Sequence, residues 1–465
     1  MGRISDPAMR SELLRGEIAV VGLARSGRSA ARLLARTGSE VYASDSGRSP
    51  ELEATAVDLH HDEVDVQLGG HDLDRIRRAA LVVASPGVPP SAPPLLAARD
   101  AGVAIVSEIE IGLRFLPRLS YIAITGTNGK TTTTAITGHV LRAVGRRTET
   151  AGNIGTPLTE LALQPTPPDW VALEVSSFQL HDTPSIDPTV AVLTNLSANH
   201  LDRYDSVEAY YGDKALLFRN ATAASHIVTN ADDADVQAMT HDMPGMHCRF
   251  SVQRRSDAYF DRDGGMLVVL GHPILARHDL PLLGDHNVAN ALAAALSVMI
   301  ADREHRGAPA LDRIAAALRT FSALEHRIET VGEFDGATWI NDSKSTTVAS
   351  TLIALRGMTK PTVLLLGGKH KGAPYTDLVP ELRRTGRAVI AYGDAAPIIE
   401  RDLGGAVPLT RLGSSFEEVV ETARHLAQSG DVVLLSPACS SYDMFDNYEQ
   451  RGAVFKELAA GATHR

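Results

Sequence analysis

Lys130 closes a short polar run, Gly126-Thr127-Asn128-Gly129-Lys130-Thr131, whose residue types suit a polyphosphate. Backbone N–H groups at the start of a helix attract anions, because they lack intrahelical partners and the peptide dipoles align there. A lysine ammonium adds a point charge for β- and γ-phosphates, and the next threonine hydroxyl can ligate Mg²⁺. The usual Gly-x-x-x-x-Gly-Lys-Thr spacing would need glycine at 124, where Ile124 stands. The run is therefore a shorter variant. An ordinary strand-to-helix turn would leave the coincidence of Gly126, Gly129, Lys130 and Thr131 unexplained.

A second group is Glu174, embedded in the otherwise apolar run 170–175. A carboxylate there is costly to bury unpaired. It is either ion-paired or a metal ligand, and beside a phosphate loop the metal of choice is Mg²⁺, which takes oxygen ligands. His200 follows the apolar run 190–194 in Asn199-His200-Leu201-Asp202-Arg203-Tyr204. Strand ends of open parallel sheets are where ligands bind, although a loop histidine can equally be a solvated side chain. Lys214 sits among Val207, Tyr210, Tyr211, Leu216, Leu217 and Phe218 in an amphipathic stretch, 206–220. A lysine in that setting ordinarily snorkels to water.

The elements that must position these groups follow from apolar runs and their punctuation. Residues 121–124 form a strand, and a helix runs from Thr131 to about Ala143. Upstream, a strand at 17–21 meets Gly22-Leu23-Ala24-Arg25-Ser26-Gly27, a helix follows to about Thr37, and a second strand, 40–43, ends at Asp45. This is a βαβ opening with a glycine turn and an acid after its second strand. Ala24 replaces the middle glycine of a dinucleotide fingerprint, which argues against a nicotinamide site. Further strands fall at Leu81–Ala84, ending in Ser85-Pro86-Gly87, and at 104–106. Gly152-Asn153-Ile154-Gly155 is a polar turn. Short alternating runs between Cys248 and Leu283, with a turn at Asp263-Gly264-Gly265, suggest a small antiparallel insertion. Gly284 to Asn290 opens a long Ala-rich helix. Near the C-terminus strands at 338–340, 362–366, 389–391 and Val432–Leu435 alternate with helical stretches. Three of these strands end in polar residues, as in a doubly wound parallel sheet with one ligand-binding rim.

The 465 residues have room for roughly three domains of about 150 each. Apolar content of 44% and charged content of 22% are those of an ordinary globular protein. A net charge of −11 removes any general attraction to nucleic acid or to an anionic membrane. Two distant cysteines, Cys248 and Cys439, give neither a disulfide framework nor metal-ligand spacing. No apolar core of signal-peptide length precedes the first expected strand, and the longest apolar stretch, Ala291–Ala301, is too short to span a bilayer. The expectation is a cytoplasmic protein without membrane insertion.

Taken together these motifs resemble the Mur ligases. The resemblance spans nearly the whole length. It runs through the Gly22–Gly27 turn, Ser85-Pro86-Gly87, the loop 126–132, Gly152–Gly155, Glu174-Val175-Ser176-Ser177-Phe178-Gln179-Leu180 and the segment 199–204. It continues through His286-Asn287-Val288-Ala289-Asn290, His326-Arg327, Asn341-Asp342-Ser343-Lys344, Ser436-Pro437-Ala438-Cys439 and Asn447-Tyr448-Glu449-Gln450-Arg451-Gly452.

The resemblance implies an α/β protein of three domains. These are an N-terminal Rossmann-like domain for a UDP-sugar (1–118), a central P-loop ATPase-like domain with the antiparallel insertion (119–323) and a C-terminal Rossmann-like domain for an amino acid (324–465). The implied activity is ATP-dependent amide ligation in cytoplasmic peptidoglycan precursor synthesis: D-glutamate is joined to UDP-N-acetylmuramoyl-L-alanine through an acyl phosphate. ATP would be held by Gly126, Thr127, Asn128, Gly129, Lys130, Thr131, Thr132, Asn287, Asn290, Arg327 and Asp342. Mg²⁺ would be held by Thr131 and Glu174, with His200 on a second ion and Lys214, carbamylated by CO₂, orienting the metal site. Ser26, Asp45, Ser46, Ser85 and Asn153 would face the UDP-sugar, and Lys344, Thr346, Lys371, Ser441 and Tyr448 the glutamate. The implied assembly is a monomer. Asn199, Thr347, His370 and Tyr448 depart from the residues common in the family. The competing readings are addition of L-glutamate to the same nucleotide, an NAD(P)-dependent oxidoreductase, and a nucleotide-binding protein without catalysis.

Overall fold

The computed structural model describes residues 16–198, 204–322 and 325–461. The apolar runs become three sheets. The first contains β1 (Ile18–Val21), β2 (Val41–Asp45), β3 (Asp65–Leu68), β4 (Leu81–Ala84) and β5 (Ile105–Ser107), in the order β3-β2-β1-β4-β5. All its pairings are parallel. β1 and β4 are buried throughout, as strands covered on both faces must be.

The second sheet contains β6 (Ser120–Thr125), β7 (Thr148–Gly152), β8 (Trp170–Glu174), β9 (Val190–Leu193), β10 (His226–Asn230), β11 (Met246–Ser251), β12 (Ala258–Asp261), β13 (Met266–Val269) and β14 (His272–Ala276). Its order is β14-β13-β12-β11-β10-β9-β6-β8-β7. β7 through β11 pair in parallel around β6. The antiparallel segment expected after Cys248 is present as β12, β13 and β14. It extends the central sheet, because β12 pairs in parallel with β11.

The third sheet contains β15 (Glu329–Phe334), β16 (Ala337–Asn341), β17 (Thr362–Gly367), β18 (Gly386–Tyr392), β19 (Leu409–Arg411) and β20 (Val432–Leu435), ordered β15-β16-β20-β17-β18-β19. It is parallel except for β15 at one edge. The apolar runs did not reveal β3, β7, β15 or β19. All four are edge strands with at least half their residues polar or exposed, so the periodic signal that marks a buried strand is weak there.

The stretch 206–220 is not one helix. Ser206 caps an α-helix, Val207–Ala215, by accepting from the Ala209 N–H. The chain then tightens into a 3₁₀ turn, Leu216–Phe218, which carries Leu217 and Phe218 into the core. The Asn220 side chain stops it by donating to the Pro184 and Ile186 carbonyls.

The chain forms two compact units, Met1–Leu280 with Ala289–Thr320, and Pro281–Val288 with Phe321–Arg465. The first holds two of the sheets and the second holds the third. Within the first unit the helix Glu108–Phe115 follows β5 and places Glu108 against Thr159. One Glu108 oxygen accepts from the Thr159 N–H at 2.6 Å, and the Thr159 hydroxyl lies 2.7 Å from it. Burial pushes this carboxyl up to about 7. Among the described residues no helix is long and apolar enough to cross a membrane.

Candidate active site

The loop leaving β6 is built for close approach. Gly126 has φ +146° and Gly129 has φ +79°. A Cβ on Gly126 would lie 2.0 Å from Thr194 Oγ1, and one on Gly129 would lie 2.5 Å from Asn290 Oδ1. Glycine is required at both points by backbone conformation and by space. Gly129 is the N-cap of the helix Lys130–Ala143, and no side chain caps that helix. Its first-turn N–H groups are the kind of donors that attract anions.

The far side of the loop is braced by the residues that follow β9. Asn128 N–H donates to Asn195 Oδ1 at 2.8 Å, and Asn195 Nδ2 returns a bond to the Asn128 carbonyl at 2.9 Å. The Thr194 hydroxyl donates to the same carbonyl at 2.7 Å. Thr127 Oγ1 donates to the Ser197 carbonyl and accepts from the Ser197 N–H. From the long Ala-rich helix, Asn290 Oδ1 accepts from the Thr133 hydroxyl at 3.1 Å.

Two lysines converge on one carbonyl here. Lys130 Nζ donates to the Gly126 and Thr127 carbonyls, each at 2.9 Å. Lys214 Nζ donates to the Gly126 carbonyl at 2.7 Å. Lys214 does not snorkel: it is 1% exposed, and its ammonium position lies 4.6 Å from the centre of the Tyr210 ring. Burial, reinforced by the charge of Lys130, lowers its pKa well below the usual lysine value. Both effects favour the neutral amine more than in an exposed lysine.

Glu174 ends β8, which pairs with β6 so that Glu174 faces Ile124 across the ladder. It is 1% exposed. Oε1 accepts from Asn153 Nδ2 at 2.8 Å, while Oε2 is buried with no hydrogen-bond partner. A buried carboxylate oxygen without a donor is costly unless a cation supplies the missing partner. The donor set, a carboxylate with Thr131 beside the phosphate loop, is all oxygen and fits a hard divalent ion. Among the described residues no three His, Cys, Asp or Glu cluster as a metal cage, so such an ion would need ligand phosphates to complete its shell. His200 and Asn199 lie outside the described residues.

Around the first sheet, the remaining expected residues sit at strand ends. Asp45 Oδ2 accepts from the Leu23 N–H at 2.7 Å, and Oδ1 accepts from the Gly47 N–H at 2.8 Å. The carboxylate fixes the glycine turn. Ser26 is half-buried, Ser46 is exposed and Ser85 is buried. Arg25 Nη1 donates to the Gly155 carbonyl at 2.9 Å, which ties this turn to the loop holding Asn153. A cavity of about 290 Å³ opens nearby, lined by Ser85, Pro86, Val88, Phe178, Gln179 and Tyr204 among others.

The second unit carries its own polar rim. Asp342, at the end of β16, is 1% exposed and accepts from the Ser436 hydroxyl at 2.8 Å and the Ile328 N–H at 3.2 Å. Burial raises its pKa to about 6, opposed by those hydrogen bonds and by Arg327. Lys371 Nζ donates to Thr346 Oγ1 at 3.0 Å. The Lys344 ammonium lies 5.5 Å from the Tyr448 ring centre, and Ser441 is 3% exposed. Asn287 Nδ2 donates to the Leu283 carbonyl at 2.8 Å. Asn287, Arg327 and Asp342 belong to this unit, whereas Asn290 belongs to the first.

Several supporting residues were not legible in the sequence. Asn195, Thr194 and Tyr210 brace the loop and Lys214. Position at a strand end was the available signal for Thr194 and Asn195; Tyr210 read only as part of an apolar face. The buried Arg451 donates to the Ser343 and Cys439 carbonyls and the Ser343 hydroxyl. Only its place in a shared motif marked it.

Three family models match successive parts of the chain: a Mur ligase MurD-like N-terminal domain over residues 16–107, a Mur ligase middle domain over 124–298 and a Mur ligase glutamate ligase domain over 326–439. The UDP-N-acetylmuramoylalanine–D-glutamate ligase of Salinibacter ruber is 40% identical, covering 96% of this chain and 98% of its own. The ligase of the same name from Anaeromyxobacter dehalogenans is also 40% identical, over 96% and 98%. Among solved structures, the UDP-N-acetylmuramate–alanine ligase MurC of Thermotoga maritima superposes with TM-score 0.62 at 19% identity, covering 96% of this chain and all of that one. MurF ligase of Thermotoga maritima in complex with ADP gives TM-score 0.61 at 16% identity, over 98% and 97%. These structural likenesses establish the fold, and the curated relatives establish more: the chain belongs to the Mur ligases, in the family of the UDP-N-acetylmuramoylalanine–D-glutamate ligases.

Proposed function

We propose that this chain joins D-glutamate to UDP-N-acetylmuramoyl-L-alanine in an ATP-dependent, cytoplasmic step of peptidoglycan precursor synthesis. A free carboxylate resists an amine because oxide is a poor leaving group. Transfer of the γ-phosphoryl group to the alanyl carboxylate yields ADP and an acyl phosphate. The glutamate amine, having lost its ammonium proton, attacks the acyl carbon. The nitrogen then gives up a second proton as phosphate leaves with the C–O bonding pair, and an amide remains. Phosphoryl transfer of this kind is mainly positioning and charge neutralisation.

The observation that carries the reading is the buried, unpartnered oxygen of Glu174 beside a glycine loop that ends in Lys130 and Thr131. Loop amides, Lys130 and Thr132 hold the β- and γ-phosphates. Bound Mg²⁺, shared by Thr131, Glu174 and the phosphates, would neutralise charge as the γ-phosphoryl moves. His200 is assigned to a second ion. A neutral Lys214 amine can add CO₂, releasing a proton and becoming an anionic carbamate that turns toward the metal site. Asn153 links Glu174 to the acceptor side, where Ser26, Asp45, Ser46 and Ser85 receive the UDP-sugar. In the first unit Asn290 is assigned to ATP with the loop; in the second unit Lys344, Thr346, Lys371, Ser441 and Tyr448 are assigned to glutamate, and Asn287, Arg327 and Asp342 to ATP.

The test is release of phosphate from ATP with UDP-N-acetylmuramoyl-L-alanine and either enantiomer of glutamate. Turnover with D-glutamate and little with L-glutamate is expected. Equal turnover with both, or preference for L-glutamate, would move the assignment to the other enantiomer.

A further inference from the structure

In the second unit two loops face each other across the rim. One follows β17 and carries Lys371; the other follows β20 and carries Ser441. They are zipped at their bases: the Lys369 N–H donates to the Ser440 carbonyl at 2.9 Å, and the Ser440 N–H to the Lys369 carbonyl at 3.2 Å. The Gly367 N–H donates to the Pro437 carbonyl at 3.1 Å. Beyond this zip, residues 371–374 are exposed until Tyr375 re-enters the core at 0% exposure.

The Tyr375 hydroxyl lies 3.0 Å from His370 Nδ1 and 2.9 Å from Cys439 Sγ. His370 precedes Lys371 on one loop, and Cys439 lies two residues before Ser441 on the other. The phenol has one proton and can donate to one neighbour while accepting from the other, so both contacts are satisfied at once. Burial raises the phenol above its usual value and pushes the Cys439 thiol up to about 11, so both keep their protons at neutral pH. The ring is anchored from behind, since the Tyr375 N–H donates to Asp402 Oδ2 at 3.1 Å. A phenylalanine would fill the same core site without a hydroxyl to satisfy. Burying a hydroxyl is costly unless it is bonded, and here its bonds join two loops.

We propose that Tyr375 is a positioning residue for the incoming glutamate: by bridging His370 and Cys439 it sets the spacing between Lys371 and Ser441. This rests on the reading of Lys371 and Ser441 as partners of the two glutamate carboxylates. Those carboxylates are joined by a short carbon chain of limited reach, so their partners must keep a separation within that reach. Play of about 1 Å between the loops loosens the amino acid without touching the nucleotide chemistry.

Steady-state kinetics of the full chain test this. Tyr375→Phe is expected to raise the KM for D-glutamate about 3- to 10-fold, the worth of one buried hydrogen bond, with KM for ATP and for the nucleotide acceptor unchanged and kcat within about twofold. Cys439→Ala should do the same, and Cys439→Ser, which restores a hydroxyl partner, should keep most of the wild-type KM. An unchanged glutamate KM in Tyr375→Phe would overturn the role. So would a joint rise of all three KM values with a lowered Tm, the mark of general loosening. Should Tyr375→Phe fail to fold, the contrast between Cys439→Ala and Cys439→Ser gives the same decision. Lys371→Ala separates the two layers of argument. If it leaves the glutamate KM alone, the reading of the rim falls and the positioning role with it. If it raises that KM while Tyr375→Phe does not, only the positioning role falls.

Discussion

Two lysines share the Gly126 carbonyl, and the tasks proposed for them differ. Lys130 is half-buried on the loop itself and is the one proposed to carry charge for phosphate. Its replacement by alanine is expected to lower kcat/KM for ATP-driven ligation about 100- to 1000-fold, the scale of losing one charge-stabilising donor in a closed site. Its hydrogen bonds go to neighbouring loop carbonyls, so the Tm should shift little; a mutant keeping most of its turnover would refute the role. Lys214 has the lowered pKa that favours a nucleophilic amine. With ¹³C-bicarbonate, wild-type protein should show a carbamate carbon resonance that Lys214→Arg lacks, because guanidinium stays protonated. An identical spectrum from both would place the modification elsewhere or nowhere. The two lysines were visible as residue types, but their shared carbonyl was not. It depends on Tyr210, Thr194 and Asn195 arriving from other elements, and no local pattern encodes such a meeting.

Elements were most legible where burial is two-sided. β1, β4, β6, β8, β9, β17 and β20 announce themselves as apolar runs between polar or glycine punctuation. Edge strands and the 3₁₀ turn after Ala215 did not, because their form follows from what they pack against. The helix Glu108–Phe115 shows the same limit in its energetics. Its sequence gives an acidic first turn, which ordinarily suits the helix dipole. Tertiary contact with the helix Leu158–Ala162 instead buries Glu108 and raises its pKa to about 7. An acid whose folded pKa is raised binds its proton more tightly in the native state, so stability falls as pH rises from about 4.5 to about 7. Glu108→Gln removes that titration. Its Tm advantage over wild type should therefore grow between pH 5 and pH 8, with a free-energy difference of roughly 2–3 kcal/mol at the upper end. A difference that stays flat across this range would show that Glu108 does not titrate there.

At the scale of the molecule, the three sheets fall into two compact units, and the first and central sheets share one of them. Contacts such as Arg25 to the Gly155 carbonyl and Thr159 to Glu108 bind those two sheets together. The three domains expected from the sequence correspond to the three sheets; strand-and-helix alternation marks sheets and carries no record of which of them share a compact unit. The fused pair carries Ser26, Asp45, Ser85 and Asn153, the residues assigned to the nucleotide acceptor. Ligand binding stabilises only the part that binds, by about 2.7 kcal/mol at a hundredfold excess over Kd. Differential scanning calorimetry of the full chain should therefore resolve two transitions. Saturating UDP-N-acetylmuramoyl-L-alanine without ATP should move only the one with the larger enthalpy, since enthalpy scales with residue number and the first unit is the larger. The smaller transition, from the second unit, should stay in place. A single transition that shifts as a whole would mean that the two units unfold cooperatively. A shift confined to the smaller transition would place the acceptor on the wrong unit and remove the assignment of Asn153 and Ser85.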